Sequence, residues 1–231
     1  MKKTENKNHI GLIVAIEMEA IFHFYSSYRE MPYPEGFRLL FIEKDDCELY
    51  VLQTGMGEIA AAAGTQYLIT ACQVSTVINF GVVGGLTPQM SKQKVCLVEN
   101  VVHYKYDCSE FMDLTVGQVP GHGSIHIKTD ETLLQLAKGE DPSLKCVTCC
   151  SGDKFVSTAE EKEYLAMNFH GDICDMESAG IILTCECNQV PCILFKAVSD
   201  GLQDGAEGFY SELFHASLKS LEIADRIIEK F

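Results

Sequence analysis

The stretch EIAAAAGTQYLITACQVSTVINFGVVGG, residues 58–85, decides the fold class. Residues 58–72 are rich in alanine and contain no proline, which predicts a helix. Residues 75–81 are a short apolar run with β-branched side chains, which is typical of a buried strand. The glycine-rich residues 81–85 then predict a loop at the end of that strand. A helix that leads into a buried strand is the repeating unit of α/β proteins.

The same alternation extends along the chain in both directions. Further apolar runs predict strands at 11–16, 49–54, 95–102 and 192–199. Helical patterns separate or follow them at 159–169, 177–187 and 210–229. Continuous apolar strands indicate a sheet that is buried on both faces. We therefore predict one α/β domain at 10–231, with a central, mixed but mostly parallel twisted sheet flanked by helices on both faces, after a flexible segment at 1–9.

Charge and hydropathy exclude several classes of protein. The net charge of −15 argues against a nucleic-acid partner, because binding to phosphates needs clustered Lys and Arg. The apolar run at 10–16 is interrupted by Glu17 and Glu19, so it is too short and too charged for a membrane span or a signal peptide. These features predict a cytoplasmic protein without a membrane partner.

The chain has eleven cysteines. An odd number of thiols in a chain that can build a core favours a reducing compartment and unpaired cysteines. The groups at 146–150 and 185–187 resemble halves of a zinc site, but neither has a partner at standard spacing. The motif GMGE at 55–58 imitates a dinucleotide-binding loop, but no acidic residue follows the next strand. We therefore predict no metal and no cofactor.

Carboxylates follow three of the predicted strands. Glu17 and Glu19 come after the first strand, Asp175 and Glu177 after a short apolar run, and Asp200 ends the segment CILFKAVSD. Ligands of α/β proteins bind at the carboxyl ends of strands, so these acids are candidates for an active site. Helix capping is an equally good explanation for Glu19 and Glu177, because acidic residues are favoured at helix N-termini.

Seven segments occur in the order and spacing of motifs from the nucleoside phosphorylase/nucleosidase superfamily. They are GLIVAIEMEA (11–20), TGMGEIAAAAG (54–64), NFGVVGGL (79–86), VGQVPGH (116–122), SGDKFV (151–156), DMESAGI (175–181) and AVSD (197–200). The chain most resembles the bacterial methylthioadenosine/S-adenosylhomocysteine nucleosidases, from about Ile10 to the C-terminal helix. The resemblance implies a nucleoside phosphorylase-like fold and cleavage of a purine nucleoside.

The resemblance also implies a role for each matching residue. Asp200 matches the acid that protonates the purine at N7, and Glu19 matches the carboxylate that activates water. Glu177 matches the acceptor for the ribose hydroxyls. Further contacts with the substrate are implied for the backbones of Met176 and Val156, for Phe155 stacked on the base, and for Ser199 beside Asp200.

Elementary chemistry agrees with this allocation. Cleavage of an N-ribosidic bond passes through an oxocarbenium-like state, and the leaving base must be protonated. The reaction therefore needs a proton donor near the base and a carboxylate near the water. Asp200 must hold a proton at neutral pH, and a buried apolar strand end would favour its protonated form.

Three residues of the expected substrate site depart from the nucleosidase pattern. Lys196 stands where an arginine is usual, Asp175 replaces a glutamate and Val82 replaces a serine. Lys196 keeps the charge but not the forked geometry of arginine, so the water could be held differently. These changes leave open futalosine hydrolysis, cleavage of another purine nucleoside, or a relative that binds nucleosides without cleaving them.

The nucleophile and the pocket for the 5′-group are separate questions. Phosphate sites favour arginine, and the three arginines lie outside all seven motifs, whereas Glu17 and Glu19 would repel phosphate. Water is therefore the expected nucleophile, with a phosphorolytic nucleoside phosphorylase as the alternative. In the resembled enzymes the segment matching 110–121 reaches across a homodimer interface, so Met112 and Leu114, with Phe111, are expected either to cover the 5′-group or only to pack the interface.

Overall fold

Strands and helices alternate throughout the residues that the computed structural model describes, 7–92 and 94–231. The strands are β1 (Asn8–Val14), β2 (Arg29–Met31), β3 (Arg38–Glu43), β4 (Cys47–Gln53), β5 (Thr76–Gly85), β6 (Val95–His103), β7 (Ile127–Lys128), β8 (Lys145–Ser151), β9 (Ile173–Asp175) and β10 (Cys192–Asp200). The helices are α1 (Met18–Phe24), α2 (Glu58–Ala71), α3 (Glu131–Glu140), α4 (Ala159–Phe169), α5 (Ser178–Asn188) and α6 (Gly205–Ile228).

The strands form one mixed sheet in the order β10-β6-β8-β9-β5-β1-β4-β3-β2, with β7 paired to β6. Parallel pairing joins β4, β1, β5 and β10, whereas β2 and β3 form an antiparallel edge. An additional pairing between β10 and β5 connects the two ends of the path β10-β6-β8-β9-β5. These five strands therefore close into a ring, and β10 is hydrogen-bonded on both of its edges.

Helices cover the two faces of the sheet. Strand side chains alternate between the faces, as pleating requires: on β1, Ile10 and Leu12 pack with α1, α3 and α6, whereas Ile13 packs with α2 and α5. A third cluster joins α4 to β6 and β8 through Leu165 and Phe169. This layering confirms the predicted single α/β domain with helices on both faces.

The predicted strands and helices are present, with shifted ends. The segment 81–85 is the second half of β5 rather than a loop, because it continues to pair with β10 and β9. Strand β1 begins at Asn8, so residues 8 and 9 belong to the sheet rather than to the flexible segment expected at 1–9, of which residues 1–6 lie outside the described part. Helix α6 begins at Gly205, before the expected position 210.

All eleven cysteines lie in the described residues, and each is a free thiol. Among the described residues, no helix combines the length and apolar character needed to cross a membrane. Within the same residues, no group of three or more His, Cys, Asp or Glu side chains is arranged to hold a metal ion.

Candidate active site

A cavity of about 540 Å³, open to solvent, lies where β1, β5, β9 and β10 end. That position, at the ends of the strands, is where α/β sheets bind their ligands. Its walls are formed by Ala15, Ile16, Glu17, Met56, Val82, Val83, Gly84, Lys154, Phe155, Val156, Cys174, Asp175, Met176, Glu177, Asp200 and Phe209. The cavity thus brings together four carboxylates and two aromatic rings.

Glycines on β5 make room for the charged side chains of the site. A Cβ atom added at Gly81 would lie 3.0 Å from Glu17 Oε1 and 3.7 Å from Lys196 Nζ. One added at Gly84 would lie 3.4 Å from Asp200 Oδ2. The glycine-rich sequence is therefore explained by close approach of side chains to a strand, and not by a loop.

Asp200 ends β10 and is 1% exposed. Its Oδ1 lies 2.9 Å from Ser199 Oγ, and its Oδ2 accepts a hydrogen bond of 2.5 Å from Lys162 Nζ. The sequence predicted an apolar environment that favours the protonated acid. The structure differs in one respect, because the buried ammonium group of Lys162, and not only apolar side chains, faces the carboxylate.

Glu17, and not Glu19, lines the cavity. Helix α1 begins at Met18. Glu19 lies in its first turn and is exposed to solvent. Glu17 is 5% exposed; its Oε2 accepts hydrogen bonds from the N–H groups of Ala15 and Ile16, and its Oε1 from that of Val82. Glu19 points to solvent, whereas Glu17 precedes the helix and turns towards Val82 on β5. The placement of Glu19 in the site is therefore corrected to Glu17.

Glu177 precedes α5 and faces the cavity beside the first turn of α2. Its Oε1 accepts a 2.8 Å hydrogen bond from Gly57 N–H. Gly57 has φ +103°, and a Cβ atom there would lie 3.0 Å from Asp153 Oδ1, so glycine is required to present this N–H. Burial and the negative charge of Asp175 raise the pKa of Glu177 to about 7, although Lys196 and the Gly57 bond oppose the shift. The GMGE motif thus presents a backbone N–H group to the carboxylate of Glu177, and a dinucleotide is not needed to explain its glycines.

Lys196 and Asp175, two of the departures noted in the sequence, form a buried ion pair. Their atoms Nζ and Oδ2 are 2.8 Å apart, and both side chains are almost fully buried. Burial alone would raise the pKa of Asp175, but Lys196 and hydrogen bonds from Ser178 and Ser151 hold it below its ordinary value. Burial also opposes the charge on Lys196, yet its pKa is raised, chiefly by Asp175. The pair is neutral overall, with Asp175 in the cavity wall and Lys196 behind it.

An aromatic wall closes one side of the cavity. Phe155 remains 42% exposed, and its ring meets that of Phe209 edge-on, with centroids 5.5 Å apart. Val156 is buried next to it, and Met176 donates its N–H to Glu177 Oε2 at 3.3 Å. An exposed aromatic face beside hydrogen-bonding groups can stack a flat heterocycle.

The remaining predicted residues lie outside the cavity wall. Ser199 and Lys196 are buried behind it, in contact with Asp200 and Asp175 respectively. Met112 and Leu114 do not line the cavity within one chain. Met112 and Phe111 are exposed on the surface instead, 39% and 77% respectively.

Two functional candidates were missed in the sequence. Lys162 stands in the charged run AEEKEY, which is typical of a solvated helix face, yet it is fully buried. The spacing of Lys162, Leu165 and Phe169 places all three on one face of α4 and was a usable signal. Phe209 was missed because the start of α6 was placed too late.

Comparisons with known proteins agree with the fold. The 5′-methylthioadenosine/S-adenosylhomocysteine nucleosidase of Staphylococcus saprophyticus is 30% identical over 191 residues, covering 80% of this chain and 82% of that protein. The aminodeoxyfutalosine nucleosidase of Campylobacter jejuni is 28% identical over 176 residues, covering 74% and 76%. The crystal structure of the Helicobacter pylori 5′-methylthioadenosine/S-adenosylhomocysteine nucleosidase matches with a TM-score of 0.91 at 25% identity, covering 97% and 99%.

The expectation of a nucleoside phosphorylase-like fold is thereby confirmed. A sequence profile described as the phosphorylase superfamily matches residues 9–229, which include all seven motifs. The chain therefore belongs to the phosphorylase superfamily.

Proposed function

We propose that the protein hydrolyses the N-glycosidic bond of purine nucleosides and releases adenine from 5′-methylthioadenosine and S-adenosylhomocysteine. The observation that carries the proposal is the cavity itself, in which Asp200, Glu177 and Glu17 converge beside the aromatic ring of Phe155. The S. saprophyticus nucleosidase, which is 30% identical to this chain, and the H. pylori nucleosidase, which shares its fold, support it.

Each group has a chemical task in this reaction. Phe155 stacks the purine, the backbone of Val156 contacts its edge, and Asp200 delivers a proton to N7, which makes the base a better leaving group. Glu177 accepts hydrogen bonds from the ribose hydroxyls, which strengthen as positive charge develops on the sugar ring. The carboxylates around the ring also stabilise that charge electrostatically.

Water is the nucleophile that the cavity favours. Among the described residues, no arginine lines the cavity, and Lys154 is the only lysine in the wall, where it pairs with Glu161. Lys162 and Lys196 balance two of the four carboxylates in the wall, and Glu17 and Glu177 remain to repel a dianionic phosphate. Glu17 accepts three backbone N–H bonds, which hold its carboxylate in the cavity wall, where it can orient a water molecule.

The decisive assay measures adenine release from 5′-methylthioadenosine, S-adenosylhomocysteine, an adenine-bearing futalosine and adenosine, each with and without inorganic phosphate. The proposal predicts turnover that phosphate does not accelerate, with free pentose rather than a pentose phosphate as product. Strict dependence on phosphate would establish phosphorolysis. Tight binding without product over hours would establish a nucleoside-binding protein.

A second candidate function is cleavage of aminodeoxyfutalosine. The aminodeoxyfutalosine nucleosidase of C. jejuni is 28% identical to this chain, close to the 30% of the S. saprophyticus methylthioadenosine nucleosidase. The ratio of kcat/KM for the futalosine and for 5′-methylthioadenosine separates the two candidates directly.

The two acids after β1 can be separated by matched substitutions. We expect Glu17→Gln to lower kcat about 10- to 100-fold, because it removes the carboxylate that faces the ribose and the water. Glu19→Gln, two positions away, should have the smaller effect because Glu19 faces solvent. Steady-state kinetics on both variants provide the measurement, and a larger loss for Glu19→Gln would restore the assignment that the family resemblance implied.

We also propose that two copies of the chain associate and that the partner copy brings the exposed Met112 and Phe111 segment over the cavity. The open mouth of the cavity and the exposure of both side chains support this arrangement. Light scattering should give twice the mass of the chain, and Met112→Ala should raise KM for 5′-methylthioadenosine several-fold. A monomer with normal KM would contradict it.

The eleven free thiols further support a reducing, cytosolic location.

A further inference from the structure

The ammonium group of Lys162 is buried inside the protein next to the proposed acid. Lys162 projects from α4 and is 0% exposed. Its Nζ donates to Asp200 Oδ2 at 2.5 Å and to the carbonyl oxygen of Gly201 at 2.6 Å. A lysine is almost never fully buried unless it is paired. Lys162 does not line the cavity, so any effect on a ligand must pass through Asp200.

The other groups near this ammonium are few. Three side chains meet above Gly84. A Cβ atom added to Gly84 would lie 3.0 Å from Cys174 Sγ, 3.4 Å from Asp200 Oδ2 and 3.6 Å from Lys162 Nζ. Burial raises the pKa of Cys174 to about 12, so its thiol is neutral. Asp204 exerts a weaker electrostatic effect and is itself paired with Lys92 at 3.1 Å. Asp200 is therefore the charge that balances Lys162.

This pairing raises a chemical problem. A carboxylate that accepts a hydrogen bond from an ammonium group carries no proton of its own to give to a purine. A buried ion pair also lacks the water that would stabilise its two charges, so the alternative with a neutral amine and a neutral acid becomes accessible. One proton moved along the 2.5 Å contact interconverts the two forms.

We propose that Lys162 is the proton reservoir of the active site, and that Asp200 passes the proton of Lys162 to the leaving purine. The inference rests on the role proposed above for Asp200. It differs from the expectation that an apolar environment keeps Asp200 protonated. Lys162 thereby acts through Asp200 as a positioning residue that also supplies the proton.

The proton balance is complete. A proton moves from Lys162 Nζ to Asp200 and from Asp200 to purine N7, and the electron pair of the C1′–N9 bond goes to the purine. Water forms the new bond to C1′, and its surplus proton passes to the carboxylate of Glu17 and then to solvent. After the purine has left, the neutral amine of Lys162 regains a proton from solvent through Asp200.

Lys162→Arg separates a proton donor from a purely structural cation. A guanidinium can pair with Asp200 but does not release a proton in proteins. We expect kcat at pH 7 to fall at least tenfold while KM changes less than about threefold. Circular dichroism and thermal unfolding should show a folded protein. An arginine variant with wild-type kcat would overturn the proposal, because the charge alone would then suffice.

Lys162→Met supplies a second test that does not depend on how the larger arginine fits. Without the ammonium group, Asp200 has no internal proton source and must take each proton from solvent, where protons become scarcer as pH rises. We expect kcat of this variant to decline about tenfold per pH unit on its alkaline side, where the wild-type kcat stays level. A level profile for the variant would overturn the proposal.

A third variant, Asp200→Asn, distinguishes the proton reservoir from the proposed function on which it rests. An active Asp200→Asn variant would show that Asp200 is not the acid, and the proposed mechanism would fail with it. An inactive Asp200→Asn variant together with a fully active Lys162→Arg variant would leave the function intact and remove only the reservoir.

Discussion

Asp200→Asn is expected to lower kcat for purine nucleoside cleavage by about 10²–10⁴-fold, the range typical of general acid catalysis. Asparagine fills the same space and can still accept a hydrogen bond from Lys162, but it cannot deliver a proton to N7. Because the substitution leaves substrate contacts in place, KM should change far less than kcat. Steady-state assays of adenine release measure both quantities.

A control is needed because the substitution also leaves a buried lysine without its counter-charge, which is destabilising. Thermal unfolding of Asp200→Asn should therefore be compared with the wild type, and assays should be run well below the lower Tm. Glu163→Gln, which changes an exposed residue of α4 outside the cavity, should keep wild-type kinetics. An Asp200→Asn protein that is folded and retains more than a tenth of wild-type kcat would contradict the assignment.

Glu177→Gln should lower kcat/KM by about 10²–10³-fold at pH 8, because a neutral amide replaces the charged acceptor of the ribose hydroxyls. The wild-type profile should also depend on this group. Its pKa of about 7 means that kcat/KM falls as pH drops below 7, since only the ionised form accepts both hydrogen bonds. The variant should lack that acidic limb, which a pH series on both proteins would reveal.

The same substitution should stabilise the protein at alkaline pH. The folded-state pKa of Glu177 is raised above its ordinary value of 4.5, so stability is lost as pH rises from about 4.5 to 7 and stays lower above that range. Removing the ionisable group should therefore raise the free energy of unfolding at pH 8 by about 3 kcal/mol, with little change at pH 4. Equal stability of both proteins at pH 8 would show that burial does not destabilise the ionised form of Glu177.

Much of the architecture could be predicted from the sequence because hydrophobic pattern and glycine placement are local signals. The apolar runs at 75–81 and 192–199 were recognisable as buried strands, and they correspond to β5 and β10. The short strands β2, β7 and β9 have two or three residues each, too few to show a period. The closure of five strands into a ring depends on a pairing between distant segments, which no local pattern encodes.

The site was predictable as a set of residue types but not as a set of contacts. Asp200 ends β10, and Glu177 and Phe155 follow β9 and β8; all three line the cavity, although β9 runs antiparallel to β5. Which of Glu17 and Glu19 faces inward depended on the residue at which α1 begins, and helix ends are uncertain by one or two residues in any sequence-based assignment. Lys162 was missed because a lysine in a charged helical run is usually solvated, and only its spacing with Leu165 and Phe169 pointed to burial.

The ring of strands has a consequence for biosynthesis. Strand β10 is hydrogen-bonded to β5 on one edge and to β6 on the other, yet Cys192–Asp200 emerges from the ribosome long after Thr76–Gly85 and Val95–His103. Until it arrives, the nascent chain holds β5 with an open, apolar edge, which is the kind of edge that invites aggregation. The protein must therefore mature late in translation, and Asp200 is delivered by the same strand that closes the ring.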